Sequence, residues 1–227
     1  MDKYMMLNLF SIFDPYTSMN YSMNWLSTIL ILFIMPQLYW LMISRFMYLL
    51  KKFLILLWVE YKIIMKFNFN LNNLIYFIIL FMFIMFNNFL GLFPYIFTSS
   101  SHLMYSLIFA LSMWIGLMLF GWLKNTIHML VHLVPQGTPF MLMFFMVLIE
   151  LLSSIIRPMT LSIRLTANMI AGHLLLTLLS SFIPDIVIFY LIIIIMQLLL
   201  LMLEMAVSII QSYVFVILMI LYLKETN

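Results

Sequence analysis

Cysteine is absent from all 227 positions of the chain, which excludes disulfide cross-links and thiolate metal sites. Charge is nearly as scarce. Only 7% of residues are Asp, Glu, Lys or Arg, against about 25% in a soluble domain. With 67% hydrophobic residues the chain has too little polar surface to cover itself in water. Its solvent is therefore lipid, and no stretch reads as a separate soluble domain. The net formal charge of +3 is small and dispersed, so a nucleic-acid partner is not expected. The opening MDKYMMLNLFSIFDPYTSMN lacks a basic region followed by an apolar run and a small-residue cleavage site. It is not Arg-rich either, so neither a secretory signal nor a transit peptide is expected. Such apolarity hinders import across membranes, and the heavy use of Met, Ile, Phe, Leu, Asn and Tyr fits A/T-rich codons. Both features lean towards synthesis inside an organelle.

What is present is a series of apolar runs. A spanning helix needs about 20 apolar residues, and the segment 25–43 qualifies, with Pro36 as a kink. The segment 45–66 differs. It sets Arg45, Lys51, Lys52, Lys62 and Lys66 against Glu60, with apolar residues between them, as in an amphipathic helix lying on a membrane surface. Segments 73–97 and 103–123 are joined by Thr98-Ser99-Ser100-Ser101-His102, which predicts a helical hairpin across 73–123. Residues 124–139 read as a polar connection punctuated by Pro135, Gly137 and Pro139.

Two long segments remain, 140–182 and 186–223. The first holds one proline, Pro158, and one glycine, Gly172; the second holds neither. At 1.5 Å per residue each runs to roughly 60 Å, about twice the ~30 Å hydrocarbon core. Such helices must tilt, bend or break, and the Ser-Ser-Phe-Ile-Pro-Asp run at 180–185 reads as a turn. The expected fold is thus an all-α polytopic membrane protein forming a single membrane domain over 1–227. It has about five membrane helices plus one amphipathic surface helix, and the last two membrane helices, over 140–223, form a steeply inclined hairpin. With the N-terminus outside, five crossings put the basic residues of 45–66, Lys124 and Lys224 inside and only Lys3 outside, as the positive-inside rule favours.

Inside these apolar segments lie Arg164, His173 and Glu204. An arginine at membrane depth costs at least ~2.5–3.5 kcal/mol, and intramembrane ionisable residues mark functional sites by default. On a helical wheel, Glu150, Ser153, Arg157, Thr160 and Asn168 fall within about 40° of Arg164. Ser162, Thr166, His173 and Thr177 cluster near the opposite face. The final helix carries Gln197, Glu204, Ser208 and Gln211 on one face. For Ser, Thr and Gln alone, hydrogen bonding between helices is the simpler explanation. Arginine cannot release its proton at accessible pH, whereas a His and a buried Glu can relay one. The set reads as a proton path interrupted by a fixed positive charge.

The run RPMTLSIRLTANMIAGHLLLTLL, the connection HLVPQGTP and the tail MLEMAVSIIQSYVFVILMILYL resemble subunit a of the F-type ATP synthase in its mitochondrial form, and the start NLFSIFDP fits as well. The resemblance covers nearly the whole chain in order. It implies that Arg164 is the arginine facing a rotating ring of c subunits, with Asn168 beside it. His173 and Glu204 would line the half-channel open to the intermembrane space, Gln211 would lie near the arginine, and Glu150 would serve the matrix-side half-channel. Arg157, Ser208 and Gln197 would be supporting polar residues. The implied setting is the mitochondrial inner membrane, with the N-terminus in the intermembrane space and the C-terminus in the matrix. The implied partners are the c-ring, other Fo stator subunits including the peripheral stalk, the F1 sector indirectly, and lipid. No cofactor, metal or bond chemistry is expected of the chain alone.

Two other readings stay open at this point. One is a proton-conducting membrane subunit of another respiratory complex, which would more often show Lys and Glu at broken helices and an internal repeat. The other is a structural membrane subunit, against which the buried Arg, Glu and His argue. His128 and His132 stand four apart, a spacing that permits metal binding, yet no third ligand lies nearby in sequence. His102, at a loop tip, is expected to be solvated. Trp25, Trp40, Trp58 and Trp122 lie near span ends and fit an interfacial belt.

Overall fold

The computed structural model describes residues 9–17, 21–34, 44–65, 71–134, 139–181 and 187–226. Its architecture is all-α and polytopic. The α-helices in chain order are α1 (Ser27–Ile34), α2 (Arg45–Met65), α3 (Leu71–Gly91), α4 (Leu103–Lys124), α5 (Thr126–Leu133), α6 (Phe140–Ser181) and α7 (Val187–Thr226). Four stretches are long and apolar enough to cross a membrane: Asn73–Gly91, Leu103–Lys124, Met141–Ser181 and Tyr190–Thr226. A shorter apolar helix, Met23–Ile34, begins as a 3-10 turn and continues into α1. The remainder of the first expected span, 35–43, lies outside the described residues, as do residues 182–185 of the turn expected at 180–185, whose Ser180 and Ser181 belong to α6.

α3 is the hub. Leu74, Phe77, Leu80, Phe81, Ile84 and Met85 are buried on it. They meet Leu57, Tyr61 and Met65 of α2, Ala110 of α4, Leu161 and Leu165 of α6, and Phe215, Val216, Met219 and Ile220 of α7. On α2 the buried residues fall at i, i+4 and i+8, one helical stripe. Arg45, Lys51, Lys52 and Lys62 stay exposed on the rest of its surface. The stripe is pinned to α7, since the Tyr213 hydroxyl donates to Glu60 Oε2 at 3.0 Å. Burial, with Tyr213 and Glu60 close by, holds the Tyr61 phenol above its ordinary range.

α6 and α7 are the long elements, 42 and 40 residues, or roughly 60 Å each at 1.5 Å per residue. α6 stays helical through Pro158, although the ring removes one backbone hydrogen bond. The two helices pack on each other, and both pack on α4. Their core contacts concentrate in the second half of α7 and the middle of α6. The early part of α6 leaves Met141, Phe144, Phe145 and Leu152 exposed, and the early part of α7 leaves Leu191, Ile195, Leu199 and Met202 exposed.

Three local expectations change. The second span ends at Gly91, not at 97. Pro94 disfavours helix at the residue before it, and Tyr95 takes a positive φ of 68°. Gly91 also lets α3 approach closely, because a Cβ there would lie 3.3 Å from both Met169 Cε and Thr98 Cγ2. The connection at 124–139 contains a helix, α5, whose apolar Ile127, Leu130 and Val131 recur at helical spacing beside the two histidines. His102 is not a solvated tip. Its Nε2 is 2.9 Å from the Phe13 carbonyl, and its ring centroid lies 5.2 Å from those of Trp25 and Phe97.

The link before α4 is polar yet buried. Thr98, Ser99, Ser100 and Ser101 are each at most 5% exposed, and Ser101 Oγ donates to the Thr98 carbonyl at 2.6 Å. Asn87 joins this link to the helices: its amide donates to the Tyr105 hydroxyl at 2.5 Å, and its Oδ1 lies 3.5 Å from Ser99 Oγ. Removing that acceptor with Tyr105→Phe is expected to destabilise the folded chain by about 0.6–1.7 kcal/mol, the range for interhelical hydrogen bonds in membranes. Unfolding of purified protein in lipid bicelles measures it, and an unchanged stability would mean that Asn87 finds another partner.

Candidate functional site

α6 divides its polar residues between two faces. Leu161, Ser162, Leu165, Thr166 and Met169 are buried, while Arg164 and Asn168 are exposed. The wheel therefore separates a packed face from an outward one. Ser162 and Thr166 settle their hydroxyls on carbonyls of their own helix, at 2.8 Å to Met159 and 3.0 Å to Ile163. Arg164 makes no ion pair or hydrogen bond among the described residues. One turn on, the Asn168 amide donates to Gln211 Oε1 at 2.8 Å, joining the exposed face of α6 to a buried side chain of α7.

Glu204 lies towards one end of this face. It is 8% exposed, and neither carboxylate oxygen has a hydrogen-bond partner among the described residues. Its carboxyl lies against the backbone of Gly172, where a Cβ would come within 2.8 Å of Glu204 Cδ and 2.9 Å of Oε1. Gly172 is thus a seat that only hydrogen leaves open. Beside it is a cavity of about 260 Å³ lined by Asn168, Gly172, Leu203, Glu204 and Val207 among others. His173 is the next residue along α6. Its Nε2 is buried without a hydrogen-bond partner among the described residues, and its ring meets the Gly91 backbone and the Phe13 ring. The fold brings Glu204 against the residue preceding His173; no direct His–Glu hydrogen bond forms. Ser208 is buried, with its hydroxyl on the Met205 carbonyl at 2.7 Å, and Gln197 is half-buried two turns before Glu204.

The other end of α6 is a second polar cluster. Arg157 Nη1 donates to Glu225 Oε2 at 2.6 Å, and its Nη2 lies 3.7 Å from Glu150 Oε1. The guanidinium also sits over the Tyr222 ring, 5.5 Å from its centroid, a cation–π geometry. These groups border a cavity of about 190 Å³ shared with Trp114, Trp122 and His132. The contrast with Arg164 is chemical. Arg157 has two carboxylates within reach, whereas Arg164 has none among the described residues. The rings of His128 and His132 lie 6.1 Å apart, and among the described residues no three metal-binding side chains come together.

Sequence reasoning missed several of these residues. Glu225 gave no signal, because it sits 68 positions from Arg157 and only the α6–α7 packing brings the two together. The Asn87-Asn88 pair did give one, as consecutive amides inside an apolar run. Asn88 is 0% exposed and both of its amide atoms lack partners, as does Ser100 Oγ. Asn88 stands one turn before Gly91, whose backbone meets His173.

Residues 22–224 match the family described as ATP synthase A chain. The chain is 53% identical over 226 residues to a protein of Drosophila melanogaster named ATP synthase subunit a. It is 54% identical over 227 residues to a protein of the same name from Anopheles gambiae, and 54% identical over 226 residues to one from Aedes aegypti. Each alignment covers 98% of this chain and the full length of the relative.

The seat at Gly172 gives a direct test. Gly172→Ala is expected to swing the Glu204 carboxyl off α6 and leave the helix pair assembled, because the atoms it meets end a flexible side chain. A helix-propensity gain of up to about 1 kcal/mol works in the same direction. Thermal unfolding, with a structure of the variant, measures both effects. A loss of ~1–3 kcal/mol, the penalty of an overpacked core, would mean that the carboxyl has nowhere to go.

Proposed function

Because the chain belongs to the ATP synthase A chain family, we propose that it is the membrane stator subunit that carries protons to and from a rotating ring of c subunits. In this reading the chain performs no bond chemistry, and nucleotide sites belong to other subunits. The complex sits in the mitochondrial inner membrane, with the N-terminus in the intermembrane space and the C-terminus in the matrix. Its other partners are further Fo stator subunits, including the peripheral stalk, with the F1 sector engaged indirectly.

The observation that carries this reading is the exposed Arg164, without an ion pair among the described residues, between two polar clusters on one helix. At 1.5 Å per residue, Glu150 lies about 21 Å from Arg164 in one direction, and Gly172, which seats Glu204, about 12 Å in the other. A charged arginine on an exterior helix face is costly in lipid. A carboxylate supplied by a neighbouring protein would remove that cost. A carboxylate that arrives ionised pairs with Arg164; once protonated, it leaves.

The steps follow from the chemistry of each group. A proton admitted past His173 is held at Glu204, whose oxygens have no competing partner. It passes to a c-subunit carboxylate beside Asn168, and the neutral carboxyl can then turn through lipid. After nearly a full rotation it returns its proton near Glu150 on the other side. Arg164 cannot release its own proton, so no direct relay joins the two clusters. Gln211, bonded to Asn168, fixes the face of α6 along which the carboxylate passes. Each charge crossing the potential yields ~2.3 kcal/mol per 100 mV, which drives rotation.

Arg164→Ala is expected to reduce proton-driven ATP synthesis in reconstituted vesicles to background, with the complex still assembled. Synthesis at the native rate would overturn the role given to Arg164. Glu204→Gln keeps the side-chain shape but cannot hold an exchangeable proton, so proton conduction should fall by about 10²-fold or more. If the variant fails to accumulate while the residual complexes conduct normally, Glu204 is a structural residue.

A further inference from the structure

The first described segment of the chain lies against the ring of His173. Residues Leu9–Phe13 form a 3-10 turn, and the Phe13 ring stands edge-on to the His173 ring at 6.4 Å between centroids and 85° between planes, an edge-to-face pair. Two consecutive carbonyls of this turn are held from different elements. The Phe13 carbonyl takes a hydrogen bond from His102 Nε2 at 2.9 Å, and the Asp14 carbonyl takes one from the Asn24 amide at 3.1 Å. A carbonyl oxygen only accepts, so His102 Nε2 carries the proton. The His102 ring is itself fixed by Trp25 and Phe97, each 5.2 Å away, and the Trp25 indole and Phe97 phenyl also meet each other at 5.8 Å.

We propose that the Phe13 turn is a fixed cover over His173, strapped to the body of the protein by His102, and that Phe13 is a positioning residue that limits how water reaches the His173 ring. The inference rests on the reading of His173 and Glu204 as the inlet for protons, and it adds the segment that shapes that inlet. Phe13 stands on one side of the His173 ring and the Gly91 backbone bonds to it, while its Nε2 is buried. The cover therefore restricts the inlet to a narrow path and keeps the imidazole in one orientation. The strap joins positions 89 apart in sequence and holds this turn back on the helices.

The test uses the assembled complex in vesicles, with diethyl pyrocarbonate added on the side of the N-terminal segment and modification of His173 followed by peptide mass spectrometry. Phe13→Ala should raise the modification rate of His173 by about tenfold or more, because the covering ring is gone. Phe13→Tyr, which keeps the ring, should stay at the native rate. His102→Ala should raise the rate by about five- to tenfold, the population shift from losing one hydrogen bond. His102→Gln, whose amide can donate to the same carbonyl, should restore it. A structural role alone would not produce that rescue at the distant His173. Should Phe13→Ala fail to accumulate, the His102 pair decides the question. A His173 rate within about twofold of native in His102→Ala overturns the cover, since one hydrogen bond is then not holding it. Proton conduction by His173→Ala separates the two levels. If it is blocked while the modification rates stay native, only the cover fails; if it is normal, the inlet reading itself fails.

Discussion

An ionised side chain in hydrocarbon must be paired, hydrated or in use, and that constraint orders this chain. Removing a partner from a buried ion pair costs several kcal/mol, because the remaining charge is left uncompensated. Arg157 meets the constraint internally, through Glu225 and Glu150. Arg164, seven residues on, does not: it is exposed and without an ion pair among the described residues. Glu204 is the converse case, an acid buried against a glycine with no partner for its oxygens. One helix pair thus contains a satisfied cluster and, among the described residues, two unsatisfied groups, one basic and one acidic. The proposed transport draws on both kinds.

Packing makes the arrangement possible. α3 and the second half of α7 carry most of the apolar core, with α2 covering them. That leaves the early parts of α6 and α7 without internal support and with large apolar side chains outward. In lipid this exposure costs little, since acyl chains are as apolar as leucine. The chain is therefore free to keep its rigid half for itself and offer its other half to neighbours. Polar contacts do the fine positioning: Asn168 on Gln211, Asn87 on Tyr105, and Tyr213 on Glu60.

Much of this was legible in the sequence. The long apolar segments, the basic amphipathic stretch and the separation of Arg164 from Ser162 and Thr166 on α6 all follow from composition and a 3.6-residue period. Those features are local, so periodicity carries them. What escaped was tertiary. Glu225 reaches Arg157 only because α7 returns the full length of α6, and no spacing encodes that. His102 looked like a solvated loop tip because three serines and a threonine precede it, yet all four are buried, and Thr98 and Ser101 bond to each other within the link. α5 was hidden by its flanking proline and glycine, which marked the segment as a connection. Gly172 stood in the sequence only as the one glycine of a long apolar segment, whereas its place in the structure is as an opening for a carboxyl group.

The hydrogen bond from Tyr213 to Glu60 has a mechanical side. Tyr213 lies two residues beyond Gln211, which holds Asn168 on the Arg164 face. A sideways push delivered to that face passes across α6 into α7, and from α7 into α2. The lysines of α2 point away from the core, where lipid headgroups can grip them. In the proposed function α2 would then be a brace, taking up the recoil of the ring that moves past Arg164.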